Sequence, residues 1–154
     1  VLVAAAMKMG AIVAQTATEN ANLIYEFGLN LGIAFQLQDD YLDAFGDPKT
    51  FGKQVGGDII ENKKTFLYLK AIEFASTTEK EQLLHLFSIH SNENDAKIEA
   101  VKTIFNSSGA SKATQNAIQE YTLKAFETLK NISIDNEKKD ILRSFGENLM
   151  DRKV

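Results

Sequence analysis

The residues best suited to chemistry lie together in one short stretch, Phe35-Gln36-Leu37-Gln38-Asp39-Asp40-Tyr41-Leu42-Asp43. On a helix that advances about 100° per residue, Gln36, Asp39, Asp40 and Asp43 share one arc roughly 100° wide. Gly32 lies on the same arc one turn earlier, where something can approach the backbone closely. Asp39 and Asp43 form an i,i+4 pair, with Cβ atoms within about 6 Å of each other. Like charges at that spacing repel, and the negative end of the helix dipole adds to the repulsion. A cation among the carboxylates relieves it. Several oxygen donors without Cys or His favour a hard ion, Mg2+ rather than Zn2+.

A solvated acidic helix end would also gather these residues, but the run before them argues against it. Leu23, Ile24, Phe27, Leu29, Leu31, Ile33, Ala34, Phe35 and Leu37 cover nearly every face of the helix, and such helices are buried. Three aspartates at the end of a buried helix require a counter-charge.

Lysines follow. Gly46 to Asp58 contains the single proline, Pro48, and four glycines, Gly46, Gly52, Gly56 and Gly57. Lys49, Lys53, Lys63 and Lys64 lie on or beside this loop. Carboxylates that recruit Mg2+, facing lysines on a glycine-containing loop, suit a diphosphate. The metal bridges phosphate oxygens to carboxylates, and ammonium groups neutralise the remaining charge. Lys53 and Lys63 are the candidates for that role, whereas Lys49 and Lys64 read as solubilising residues. His85 and His90 sit in a separate helical region with no partner nearby in sequence, and read as surface or internally satisfied histidines.

The elements that must carry these residues are helices. Apolar spacings of three and four recur throughout, with no sustained alternation of the strand type. The pattern predicts helices over about 1–15 and 18–45, the second carrying the acidic motif; Gly28, four residues before Gly32, would let a neighbouring helix pack closely. Helix resumes between Asp58 and Thr65, where an Asp58–Glu61 capping box and a Thr65 cap are both open. It then ends near Ser76. Shorter helices are expected over 79–87 and 95–105. After Ser107-Ser108-Gly109 comes a longer one carrying Ile118, Tyr121, Ala125 and Leu129. The last is capped by Asp135, with Ile141, Leu142, Phe145 and Leu149 facing inward.

At 154 residues the chain can build one substantial core. Its net charge of −4 is interspersed, so nothing marks a nucleic-acid partner. No apolar stretch is long and charge-free enough to span a membrane. The absence of cysteine removes disulfide and thiolate chemistry and fits a cytoplasmic protein. Val1 to Gly10 begins without a cap and reads as the inside of a helix already under way, so the chain is expected to be the C-terminal part of something longer.

Phe35-Gln36-x-x-Asp39-Asp40-x-x-Asp43, then Gly52-Lys53-x-x-Gly56-x-Asp58 and Lys63-x-Thr65, together resemble the second half of the trans-isoprenyl diphosphate synthases. That family includes the farnesyl and geranylgeranyl diphosphate synthases. Weaker similarity runs from the alanine-rich start to Arg152-Lys153.

The resemblance implies an all-α bundle of long helices around a central cavity, with residues 1–154 as the C-terminal part of a single isoprenoid synthase domain. Two aspartate-rich motifs there hold three Mg2+ ions on an allylic diphosphate. The diphosphate leaves, isopentenyl diphosphate attacks the allylic cation through its double bond, and a proton is lost. Carried over by position, Asp39 is the direct metal ligand, with Asp40 and Asp43 supporting it. Lys53 and Lys63 hold the diphosphate, and Phe35 and Gln36 line the reacting end. A cytoplasmic homodimer is implied as well.

This sequence also departs from the family pattern. No other DDxxD or DDxxxxD occurs in it, and the family's upstream lysine-threonine pair and the arginines for isopentenyl diphosphate are absent. These 154 residues are therefore expected to be inactive alone. The alternative is a non-catalytic synthase-like subunit partnering a catalytic chain, which has no reason to keep three crowded aspartates.

Overall fold

The structure, a computed structural model, describes residues 1–47, 55–89 and 93–151. Lys49, Lys53, His90, Arg152 and Lys153 lie outside the described residues. The described residues form helices and no strand: α1 (Leu2–Val13), α2 (Thr18–Phe45), α3 (Gly57–Ile60), α4 (Phe66–Phe74), α5 (Thr77–Leu86), α6 (Asn94–Ser107), α7 (Ala110–Asn131) and α8 (Asn136–Met150). The all-α expectation holds.

The chain divides into two compact units. One combines Val1–Gln36 with the described residues from Ala117 onward, and the other runs from Leu37 to Asn116.

The core of the first unit consists of Phe27 and Leu31 on α2, Ala125 and Leu129 on α7, and Ile132 after it. Each large side chain removed from water there contributes about 1.5–3 kcal/mol. Met7 of α1 and Leu142 and Leu149 of α8 close its rim. Gly28 sets the contact of α1 with α2, because a Cβ there would stand 3.0 Å from the Ala4 Cα. Gly32 faces Val3 of α1, with its would-be Cβ at 3.6 Å. That is an ordinary van der Waals distance, so the close approach expected at Gly32 is found at Gly28 instead. Asn20 imitates a backbone strand at the far end of the unit: its Nδ2 donates to the Ser133 carbonyl at 3.0 Å, and its Oδ1 accepts the Ser133 N–H at 2.9 Å.

Two expectations for α8 need correction. Asp135 occupies the N-cap position, but its side chain caps no N–H and pairs with Lys138 at 3.2 Å. Ile141 and Phe145 do not face inward; they are 65% and 46% exposed. The inward stripe is Leu142, Gly146 and Leu149. Gly146 is what draws the helix in, since a Cβ there would stand 3.0 Å from Phe126 Cζ.

In the second unit α3, α4 and α5 all pack against α6. Leu67, Leu83, Val101, Ile104 and Phe105 are buried. A complete capping box opens α5: the Ser76 hydroxyl accepts the Glu79 N–H, and the Glu79 carboxylate accepts the Ser76 N–H at 3.1 Å.

Candidate functional site

The last turns of α2 carry the acidic motif, and buried neighbours fix them. Tyr41, Leu42 and Ala44 are buried, while Asp39, Asp40 and Asp43 are half-buried. Gln115 of α7 donates its Nε2–H to the Tyr41 hydroxyl at 2.6 Å. The Tyr41 ring lies 5.1 Å from that of Phe45, over which the Lys102 ammonium stands at 6.0 Å.

Asp43 ties this helix end to α3. Its Oδ2 accepts the Asp58 N–H at 2.9 Å, and its backbone carbonyl accepts the Gly56 N–H at 2.6 Å. The Gly56-Gly57 pair suits this junction, and Gly56 is the more constrained of the two. Gly56 has φ +85°, a left-handed conformation that penalises side chains, and a Cβ there would stand 2.6 Å from Ile98 Cδ1. A Cβ on Gly57 would come within 3.3 Å of Asp43 Oδ1.

Charge is crowded here. Burial pushes the Asp43 carboxyl above the usual carboxylate range, and the nearby Asp58 and Asp39 carboxylates push it the same way. The Asp58 N–H and the Lys63 ammonium oppose the shift.

Lys63 reaches this group from the α3–α4 connection. Its exposed ammonium lies 2.7 Å from Asp58 Oδ1 and 2.9 Å from Glu61 Oε2. Its bonds to Asp58, then to Glu61, hold its pKa well above the ordinary lysine value. The Lys63 N–H donates to the Asp58 carbonyl at 2.9 Å. Two residues on, the Thr65 hydroxyl accepts the Tyr68 N–H at 3.5 Å and caps α4.

The structure therefore brings Asp43, Asp58 and Lys63 together, with Asp39 and Asp40 on the same helix as Asp43. Gln36 is exposed and Phe35 half-buried, one turn earlier on α2. Lys53 falls outside the described residues. Lys64 is exposed, as expected of a solubilising residue, and so is His85. Sequence reasoning placed Asp58 in the Gly52-Lys53-x-x-Gly56-x-Asp58 pattern and weighed it as a helix cap, but missed its pairing with Asp43 and Lys63. The signal lay in its place two residues after Gly56.

Among the described residues no three Asp, Glu, His or Cys side chains are grouped so as to hold a metal ion by themselves. The donors at the end of α2 are carboxylates. That set fits Mg2+, which takes one or two carboxylates and completes its octahedron with water and substrate phosphate.

A sequence model of the polyprenyl synthetases matches residues 1–105. This chain belongs to the polyprenyl synthetase family. It is 32% identical over 152 residues to a geranylfarnesyl diphosphate synthase of Aeropyrum pernix, covering 98% of this chain and 46% of that protein. A crystal structure of a geranylgeranyl pyrophosphate synthase superposes with a TM-score of 0.89 at 51% identity, over 100% of this chain and 48% of that one. A geranylgeranyl pyrophosphate synthase of Corynebacterium glutamicum, complexed with isoprenyl diphosphate and magnesium, superposes with a TM-score of 0.79 at 28% identity, over 94% of this chain and 41% of that one. The chain spans less than half the length of these relatives, and its fold is that of the family.

Proposed function

We propose that this chain supplies the second aspartate-rich wall of a Mg2+-dependent prenyltransferase. The reaction joins an allylic diphosphate to isopentenyl diphosphate and gives a longer trans-prenyl diphosphate. The observation that carries the reading is the junction of α2 and α3. There Asp43 accepts the Asp58 N–H, and Asp58 holds the Lys63 ammonium at 2.7 Å, so an anion-binding cation sits beside a carboxylate set suited to a hard metal.

Asp39 is the direct Mg2+ ligand in this reading, and Asp40 supports it. Asp43 serves mainly by holding α3 in register. Lys63 and Lys53 bind the diphosphate, and Gln36 and Phe35 line the reacting end. Bound Mg2+ would stabilise the charge that develops on the departing diphosphate. Lys63 reaches that diphosphate by giving up Glu61, its more exposed partner, because an exposed pair is worth only about 0.2–1 kcal/mol. The crowding around Asp43 disfavours a purely structural subunit, which gains nothing from it.

The magnesium complex of the Corynebacterium relative supports the metal. On the family resemblance, the protein is a cytoplasmic homodimer and these residues belong to one isoprenoid synthase domain.

Incorporation of radiolabelled isopentenyl diphosphate by the natural full-length protein tests the reading. Activity should require Mg2+, and Asp39→Ala should lower kcat by about 10²–10³. Undiminished turnover in that variant, or with Mg2+ chelated, would overturn it.

A further inference from the structure

Among the described residues Lys97 is the one lysine or arginine that is buried. It lies on α6 and is 3% exposed. Its partners among the described residues are two neutral oxygens and a ring, with no carboxylate. The ammonium donates to Asn62 Oδ1 at 2.5 Å and to the Ile89 carbonyl at 3.1 Å. It stands 5.9 Å from the Phe87 ring centroid, and that ring lies 4.4 Å from the ring of Tyr68 on α4. Burying a charge without an opposite charge is costly, and burial pushes the Lys97 pKa down. A methionine would fill the same space without that cost. The benefit of the lysine must therefore lie in the groups it holds.

Chief among them is Asn62, in the connection between α3 and α4. Asn62 has φ +57°, a left-handed conformation that asparagine tolerates better than most residues. Its Nδ2 donates to the same Ile89 carbonyl at 3.2 Å. Lys97, Asn62 and Ile89 thus close a triangle of hydrogen bonds that clamps the turn where α3 ends. The next residue in that turn is Lys63.

We propose that Lys97 is a positioning residue that, through Asn62, fixes the turn presenting Lys63 to the diphosphate. The inference rests on the function proposed above. Lys97 itself touches no substrate. Its ammonium locks the Asn62 amide, the locked amide holds the left-handed turn, and the turn sets where the Lys63 side chain departs. Without the clamp Lys63 keeps its charge and loses its aim.

The test uses the natural full-length protein with Lys97→Met, Asn62→Gly, Lys63→Ala and the Lys63→Ala/Lys97→Met double variant. Glycine at 62 keeps the left-handed backbone and removes only the amide, so it decides the question if Lys97→Met fails to fold. Steady-state kinetics with an allylic diphosphate should show KM raised about tenfold in Lys63→Ala, as for loss of a charged hydrogen bond. Lys97→Met and Asn62→Gly should each raise KM severalfold with little change in kcat. Lys97→Met should add nothing in the Lys63→Ala background, since the two act as one unit.

Unchanged KM in both single variants, or effects that multiply in the double variant, would overturn the proposal. A separate readout is the NMR shift of the Lys63 ε-methylene, which reports its pairing with Asp58 whatever the reaction is. It should move in Lys97→Met and Asn62→Gly, and an unmoved signal in both would overturn the proposal. Absence of turnover in the wild-type protein, with that signal still moving, would refute the proposed reaction and leave the clamp standing.

Discussion

Replacing Asp43 by alanine and by asparagine separates its charge from its hydrogen bond. The carboxylate accepts the Asp58 N–H at 2.9 Å in a half-buried place. Leaving such a donor unsatisfied costs about 1–3 kcal/mol, and partial access to water puts this site toward the low end, about 1–2 kcal/mol. At about 2–4 °C per kcal/mol for a domain of 150–250 residues, Asp43→Ala should lower Tm by about 2–8 °C. Asparagine keeps an oxygen for the Asp58 N–H and removes a charge that burial and the Asp58 and Asp39 carboxylates already disfavour. Asp43→Asn should therefore lie within about 2 °C of wild type. Thermal unfolding followed by circular dichroism gives both numbers, and hydrogen exchange at the Asp58 amide locates the cause: protection should fall in Asp43→Ala and persist in Asp43→Asn. An alanine variant as stable as wild type, or an asparagine variant as weak as alanine, would refute the role assigned to that hydrogen bond.

Two further predictions concern the lysines and pH. Lys63→Ala and Lys53→Ala should each weaken binding of Mg2+-diphosphate about tenfold, whereas Lys64→Ala and Lys49→Ala should leave it unchanged; calorimetry on the four variants decides, and equal effects from all four would contradict the assignment. Hydrogen bonds from the Ser107 and Ser76 hydroxyls, then from the Ser76 N–H, lower the Glu79 pKa. A depressed carboxylate contributes stability that is present above its unfolded value, near 4.5, and is lost as pH falls through the folded value. The advantage of wild type over Glu79→Gln in denaturant midpoint should therefore be full near pH 7 and vanish at strongly acid pH, while a gap independent of pH would contradict the sign.

The helices were legible because their apolar residues recur at three and four, and α2 most of all because its run is long. The α3–α4 connection was not legible. Two start signals compete there, and the chain uses Thr65 as the cap while the Asp58 side chain turns to Lys63. The exposure of Ile141 and Phe145 was hidden for a different reason. Two neighbouring stripes of α8 are apolar, and the one that faces inward is chosen by Gly146, which carries no hydrophobic signal. The acidic motif was plain from spacing alone. Its buttress was not, because Asp43 meets Asp58 only after the chain turns through a left-handed glycine. Lys97 was the least legible, since a lysine on a helix reads as solvated until the turn that covers it is known.

Calorimetric titration of Mg2+ into the natural full-length protein, with and without inorganic diphosphate, tests the central claim most directly. Mg2+ is held by one or two carboxylates and completes its octahedron with substrate phosphate, so it should bind weakly alone, tightly once diphosphate is present, and without that coupling in Asp39→Ala. Tight Mg2+ binding in the absence of diphosphate, unchanged in Asp39→Ala, would contradict it.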